Sequence, residues 1–164
     1  MIIRPATPDD ARAIAALIAG FQRELTVDPD GAGAKGFLAS VSEAAERRYL
    51  AAPRYRFLVA ERAGALAGFI ALRDGSHLFH LFVAAPHQRA GVARMLWQRA
   101  RDLAEQEQPG GIVAFTVNAS PGAVAVYRAF GFRPAGDLVE SDGIRFLPMR
   151  LTVAAAPGTE EESP

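Results

Sequence analysis

Short apolar runs separated by turn residues dominate the middle of the chain, and this spacing is typical of strands in one sheet. Gly64 lies between the first two runs, which predicts a hairpin, and Asp74-Gly75 precedes the third. A helical pattern separates these runs from a fourth. In chain order the elements are 55–61, 66–72, 77–83, a helix at about 91–106, and 112–117. This order predicts a mixed sheet with helices on its faces.

Further elements flank this centre. Thr7 is a predicted N-cap before a proline and two acids, and Ser120 is the N-cap of a helix that Gly131 ends. The run 112–117 contains few polar residues, so we expect both of its faces to be covered. The other predicted elements are a strand from Ile2 that stops at Pro5, helices at 8–20 and about 37–49, and an antiparallel strand pair at 132–138 and 144–153.

The composition is that of one globular domain. Half of the 164 residues are apolar, so 1–153 can form a single core, while 154–164 are small, acidic and Pro-containing and are predicted to be disordered. The absence of cysteine excludes thiolate nucleophiles and Cys-ligated metals, and we expect no metal site. Balanced charge, 18 basic against 18 acidic residues, gives no support for a nucleic-acid partner. No apolar run approaches the ~20 residues of a membrane span and no signal-peptide pattern opens the chain, so we expect a cytoplasmic protein without a membrane partner.

The segment Gln88-Arg-Ala-Gly91-Val-Ala-Arg94 follows a predicted strand and opens a predicted helix. Unpaired N–H groups and the positive end of the helix dipole make such a junction an anion site. The segment lacks the lysine of a Walker loop and the third glycine of a dinucleotide fingerprint. A plain turn, in which Gly91 supplies only its backbone angles, would give the same pattern.

These residues resemble the GNAT acetyltransferases in three places. Gln88-Arg-Ala-Gly91-Val-Ala93 is similar to the family's Q/R-x-x-G-x-G/A pyrophosphate motif, and the preceding strand ends in Leu81-Phe-Val83, as the family's does. The segment from Asn118-Ala-Ser120 to Tyr127-Arg-Ala-Phe-Gly131-Phe132 is similar to the family's N-x-S…Y-x-x-x-G-F. The resemblance covers 1–153 and implies an α/β (α+β) fold, with a mixed, mostly antiparallel sheet, a central parallel strand pair and helices on both faces.

The resemblance also implies acetyl-CoA as the co-substrate. In the family the pantetheine arm lies where the two central parallel strands splay at a bulge, which leaves backbone groups of Leu81 and Val83 free. The residues that the resemblance assigns to the cofactor are Leu81, Val83, Gln88, Arg89, Ala90, Gly91, Val92, Ala93, Arg94, Asn118 and Ser120. Arg94 could instead be a solvated helix residue, Asn118 an Asx turn and Ser120 only a cap.

Two residues match the family's proton-transfer positions. Tyr127 stands where the family carries its tyrosine general acid, although a core tyrosine packed against Phe130 or Phe132 is the alternative. His77 stands six residues before Val83, where the family often carries its base, although an exposed strand-edge histidine would look the same. His80 is the second choice because strict alternation places it on the opposite face. His87 lies in the loop near the expected phosphates.

The predicted function is therefore an N-acetyltransferase that moves an acetyl group from acetyl-CoA to a primary amine by direct attack. A non-catalytic acyl-CoA-binding or sensing module is the alternative on the same fold, and a polyphosphate-binding domain is a third reading. The acceptor, a small molecule or a peptide, is unidentified, and homodimers are common among similar proteins. The family shapes its acceptor site from the regions at 21–36 and 139–145. Acids there, which either attract a cationic amine or are merely solvated, are Glu24, Asp28, Asp30, Glu140 and Asp142.

Overall fold

The computed structural model describes residues 1–153, and an eight-stranded sheet forms its centre. The predicted tail at 154–164 lies outside the described residues. The strands are β1 (Ile2–Pro5), β2 (Tyr55–Arg62), β3 (Ala65–Arg73), β4 (His77–Val83), β5 (Ala114–Ala119), β6 (Arg133–Pro134), β7 (Val139–Ser141) and β8 (Ile144–Thr152).

The strands lie in the order β1-β2-β3-β4-β5-β8-β6, and β7 pairs with β8 alone. All of these pairs are antiparallel except β4 with β5, which is parallel. A single helix, α5 (Val92–Glu107), connects those two central strands. The predicted mixed, mostly antiparallel sheet with one central parallel pair is confirmed.

Helices cover both faces of this sheet. The helices are α1 (Ala11–Ala19), α2 (Gln22–Leu25), α3 (Lys35–Ser40), α4 (Glu43–Ala51), α5, and α6 (Val124–Ala129). Ile14 and Ile18 of α1 pack with Phe57 and Phe69 on one face. Side chains of α5, such as Leu96, pack with the buried residues of β5 on the other face. We call these the α1 face and the α5 face.

Three predicted elements have different bounds in the structure. The helix predicted at 37–49 is two helices, because α3 ends at Ser40 and Ser42 then caps α4, its Oγ accepting from the Ala45 N–H at 3.2 Å. The strand predicted at 112–117 is β5, which begins and ends two residues later. The side chains of Thr116 and Asn118 are exposed, so only one face of β5 is covered, and the expectation of two covered faces was wrong.

The strand predicted at 132–138 is only the two residues of β6. The Ala135 N–H still donates to the Pro148 carbonyl at 2.8 Å, but Pro148 has no N–H to return the bond, which accounts for the end of β6. The turn at Asp142-Gly143 instead joins β7 to β8, with φ of 53° and 78° at these two residues. No helix among residues 1–153 has the length and apolar character that a bilayer span requires.

Candidate active site

The two central strands diverge towards their carboxyl ends. They pair at His77 with Thr116 and at Leu78 with Val117, and no further along. β4 also carries a bulge, because Ala71 of β3 lies opposite His80 whereas the next residue, Leu72, lies opposite Leu78. Phe79 is thus an extra residue in β4, and such a bulge bends a strand. The splay and the bulge that the resemblance implied are both present.

The backbone of β4 beyond the bulge has polar groups directed into this gap. The Ala84 N–H donates to the Ala67 carbonyl at 2.8 Å. Because hydrogen-bonded pairs alternate along an antiparallel ladder, the polar groups of Leu81 and Val83 point away from β3. One of them is occupied, since the Gln88 side-chain amide donates to the Val83 carbonyl at 3.0 Å. The expectation that Val83 is wholly free was therefore wrong, while Gln88 gains a role in holding the loop against the strand.

A cavity of about 550 Å³ opens at the gap, and we call it the first cavity. It brings together most residues that the resemblance assigned to the cofactor, along with the proposed acid. These are Leu81, Val83, Gln88, Arg89, Gly91, Val92, Ala93, Arg94, Ser120 and Tyr127. His87 also lines it, as expected, whereas Ala90 lies exposed in the loop and is not among the lining residues.

The amino end of α5 forms one wall of the first cavity. Gly91 precedes the helix with φ +79°, and no side chain caps the first turn. A Cβ built on Gly91 would meet no atom of the protein within 4 Å. A plain turn accounts for the positive φ, but it does not require uncapped N–H groups that border an open cavity. The uncapped N–H groups at the amino end of α5 therefore border the first cavity, and Arg89 and Arg94 line it beside them, a geometry suited to an anion.

Tyr127 lies where the first cavity meets a second. Its ring is buried and packs edge-to-face against Phe130 and Phe132, with centroids 6.3 and 5.7 Å away. The residue lines both cavities, so core packing and a place in the site occur together. Burial raises the pKa of the Tyr127 hydroxyl well above its ordinary value, which keeps the proton on the oxygen at neutral pH.

The second cavity, about 260 Å³, lies on the α1 face. His77, His80, Asn118, Ser120 and Tyr127 all line it. Asn118 was expected on the cofactor arm, but it projects from the open face of β5 and is not among the residues of the first cavity. The two cavities share several lining residues and therefore adjoin: Leu25, Leu81, Phe82, Ser120, Ala123 and Tyr127.

His77 lies at the closed end of the gap. Its Nδ1 is 2.8 Å from Oγ1 of Thr116, which leaves Nε2 for another partner. Burial, and to a smaller extent the charge of Arg73, lowers the pKa of His77, so the imidazole is neutral at pH 7 and able to accept a proton.

The prediction that His80 lies on the opposite face from His77 was wrong. His80 packs against Phe57 and Phe69 of the α1 face, and Thr116, the partner of His77, projects from that same side of the sheet. The extra residue Phe79 reverses the alternation of side chains between the two histidines.

Sequence reasoning missed Glu46 of α4. Its side chain is 0% exposed, and Oε1 lies 2.9 Å from Nε2 of His80. The only signal was a carboxylate on the apolar helix face between Ala45 and Tyr49. That carboxylate can be interpreted only once its partner is known, and the partner, His80, lies 34 residues further along the chain.

The two regions expected to shape the acceptor site meet above the second cavity. The Val27 N–H donates to the Gly143 carbonyl at 2.8 Å, and Thr26 forms a bridge with Ile144. The cavity is lined by Arg73 and Arg145 and by no carboxylate, whereas Glu24 lines the first cavity. The acids of these two regions therefore do not form the wall of the second cavity.

Gly143→Ala is expected to destabilise the chain more than Gly64→Ala. Both glycines have positive φ, 78° and 77°, so an alanine adds a similar backbone strain of ~1–2 kcal/mol at either position. A Cβ at Gly143 would lie 2.6 Å from the Gly33 carbonyl carbon, whereas one at Gly64 meets nothing within 4 Å. Overpacking should add ~1–3 kcal/mol at Gly143. Urea unfolding of both variants measures the difference, and equal losses would show that the two regions do not touch.

Comparison with known proteins gives a consistent result. The model of the acetyltransferase (GNAT) domain matches residues 25–153. Among solved structures, a GCN5-related N-acetyltransferase from Rhodopseudomonas palustris is 22% identical with TM-score 0.75, covering 93% of this chain and 95% of that one. The PaiA N-acetyltransferase of Thermoplasma acidophilum in complex with coenzyme A is 15% identical with TM-score 0.66, covering 93% and 98%.

The ribosomal-protein-S18-alanine N-acetyltransferase of Escherichia coli is 21% identical with TM-score 0.64, covering 96% of this chain and 97% of that one. A search of the curated proteins gives no match. At these identities the solved structures show a shared fold, while the domain model identifies the family.

Proposed function

This chain belongs to the GNAT acetyltransferase family and uses acetyl-CoA as its acetyl donor, and we propose that it transfers the acetyl group to a primary amine by direct attack. The observation that carries the proposal is the gap between β4 and β5. It has backbone groups without strand partners on one side, an anion site at one end, and a second cavity that meets the first at Tyr127. The absence of cysteine agrees with transfer without a thioester on the enzyme.

In this proposal the first cavity holds the cofactor. The N–H groups of Gly91, Val92 and Ala93 bind the pyrophosphate, and Arg89 and Arg94 add opposite charge. The pantetheine arm lies along Leu81 and Val83 like an added strand, which the backbone groups there that have no strand partner support, apart from the Val83 carbonyl that Gln88 occupies. The Leu81 N–H is then placed to stabilise the oxyanion that forms on the thioester carbonyl. Ser120, just after β5, borders the arm from the opposite strand, whereas Asn118 faces the second cavity.

Two protons must move during the transfer. The acceptor amine has to lose a proton before it can attack, and the departing thiolate has to gain one. Tyr127, held protonated by burial, is the proposed donor to the thiolate. His77 and His80, both on the second cavity, are the candidate acceptors of the amine proton, and His77 is the one that the family's pattern selects.

Thiol release from acetyl-CoA tests the proposal. The purified chain would be given four classes of amine: a peptide with a free N-terminus, a polyamine, an aminoglycoside and an amino acid. Direct attack predicts intersecting lines in initial-rate plots when both substrates are varied. It also predicts no gain of an acetyl group in the mass of the enzyme incubated with acetyl-CoA alone. Parallel lines together with an acetylated enzyme would contradict direct attack.

A further inference from the structure

We propose that His80, held in place by Glu46, is the base that takes the acceptor's proton, in place of His77. The inference rests on the proposed function, since it assigns a step of that reaction. Glu46 does not touch the substrate and acts through His80, so it is a positioning residue.

The pair is unusual for its burial. Glu46 is fully buried, His80 is 8% exposed, and 2.9 Å separates Oε1 from Nε2. Among residues 1–153, Oε2 of Glu46 is the one buried side-chain oxygen or nitrogen without a hydrogen-bond partner. Such a group lowers stability, and does so more when charged, so packing alone does not explain it. A carboxylate behind an imidazole has a chemical use, because it orients the ring and stabilises the imidazolium.

The ring of His80 is fixed in place. Four phenylalanines surround it, with centroids 4.0 to 6.3 Å away: Phe57, Phe69, Phe79 and Phe82. Nε2 contacts Glu46, whereas Nδ1 has no hydrogen-bond partner among the described residues and is not among the buried unpartnered atoms. Nδ1 is therefore reachable from solvent, and His80 lines the second cavity. The free nitrogen is the one available to an acceptor.

The position along β4 also favours His80. It directly precedes Leu81, whose N–H is the proposed oxyanion donor, and it lies beyond the point where β4 and β5 separate. His77 lies where the two strands still pair, and Thr116 occupies one of its nitrogens. The amine must approach the thioester carbon near Leu81, so the base beside that position is His80.

Groups from several elements face the pair. Tyr49 is on α4, Arg73 on β3, His77 on β4 and Arg145 on β8, and three of these line the second cavity. The positive charges of the two arginines favour the neutral form of an amine in that cavity, which promotes the loss of its proton to the imidazole.

The transfer moves two protons and exchanges one bond at the thioester carbon. The acceptor ammonium gives one proton to Nδ1 of His80, and the neutral nitrogen attacks the thioester carbon. The C–N bond forms, the C–S bond breaks, and the sulfur takes the proton of Tyr127. The second proton of the nitrogen restores Tyr127, and His80 releases its proton to solvent. The products are the amide, CoA thiol and one proton.

Three variants test the assignment, using the most active amine from the four classes. His80→Gln is expected to lower kcat by ~100-fold at neutral pH without changing acetyl-CoA affinity, while His77→Gln lowers kcat by less than ~5-fold. The deficit of His80→Gln should shrink as the pH approaches the amine's own pKa, ~8 for an α-amine or ~10.4 for a lysine-type amine, because the amine is then already neutral. A loss from misfolding would not recover with pH.

Glu46→Gln, which keeps the shape and the hydrogen bond, is the second variant should His80→Gln fail to fold. Its kcat should fall between those of wild type and His80→Gln, and the acidic limb of its pH–rate profile should move to lower pH. A profile unchanged in Glu46→Gln, or a larger loss in His77→Gln than in His80→Gln, would overturn the inference. A wild-type chain without amine-dependent thiol release would instead refute the proposed function.

Discussion

Gly91→Val is expected to raise the Kd for acetyl-CoA by at least ~100-fold, about 2.7 kcal/mol of binding free energy, in a chain that still folds. The Cβ that this change adds meets no protein atom within 4 Å, so the group that it obstructs is the ligand. Valine at φ +79° is strained, and that strain must be separated from the loss of binding.

Gly110→Val is the matched control for Gly91→Val. Gly110 has φ +85° and equally open surroundings, but it lies in the loop before β5, away from the first cavity. Both variants should lose similar stability, while only Gly91→Val loses binding by calorimetric titration with acetyl-CoA. If Gly91→Val still binds acetyl-CoA, the segment at 88–94 is a plain turn and not a phosphate-binding loop.

Tyr127→Phe is expected to lower kcat by ~10²–10⁴-fold while the Kd for acetyl-CoA stays unchanged. Phenylalanine keeps the packing on Phe130 and Phe132 and removes only the proton donor. The hydroxyl has no hydrogen-bond partner among the described residues, so stability should change little. Thiol release at saturating amine, together with titration of acetyl-CoA, measures the two quantities.

Tyr55→Phe is the control for Tyr127→Phe. It also removes a phenol oxygen, but Tyr55 lies at the start of β2 and lines neither the first nor the second cavity. Its kcat should equal that of wild type. Comparable losses in kcat and in acetyl-CoA affinity for Tyr127→Phe would mean that the side chain only packs.

The sequence predicts the parts of the fold whose signals are local. The bounds of β4 agree with the structure to the residue, and the hairpin around Gly64 and the helix after Gly91 are within one or two residues. Each has a turn glycine next to a periodic apolar pattern. The single domain over 1–153 that the composition favours stays a prediction.

The bulge at Phe79 could not be predicted from the residues themselves. Side chains from Leu78 to Phe82 are all apolar or aromatic apart from His80, so no alternation shows where the phase reverses. The Glu46–His80 contact was missed for another reason, because it joins elements 34 residues apart and depends on how α4 packs on the sheet. Both features support the proposal that His80 faces the acceptor.

The acids near the predicted acceptor site also have an arrangement that the sequence alone does not predict. The acids in the regions at 21–36 and 139–145 allow two readings from sequence, attraction of a cationic amine or simple solvation. In the structure Glu140 is exposed and pairs with Arg145 at 3.0 Å, and the charged or titratable residues that line the second cavity are arginines, histidines and Tyr127. The charge of a segment does not give the charge of a cavity wall, because a side chain in a loop can point either into solvent or into the cavity.

Thermal unfolding of the purified chain with acetyl-CoA, with CoA and with ATP tests the central claim most directly. At ~100 times the Kd, binding adds about 2.7 kcal/mol, which corresponds to an increase in Tm of about 5–11 °C for a chain of this size. We expect both CoA species to raise the Tm in this way and ATP to leave it unchanged. Equal stabilisation by ATP, or no shift with either CoA species in a folded sample, would contradict the assignment of the gap between β4 and β5 as an acetyl-CoA site.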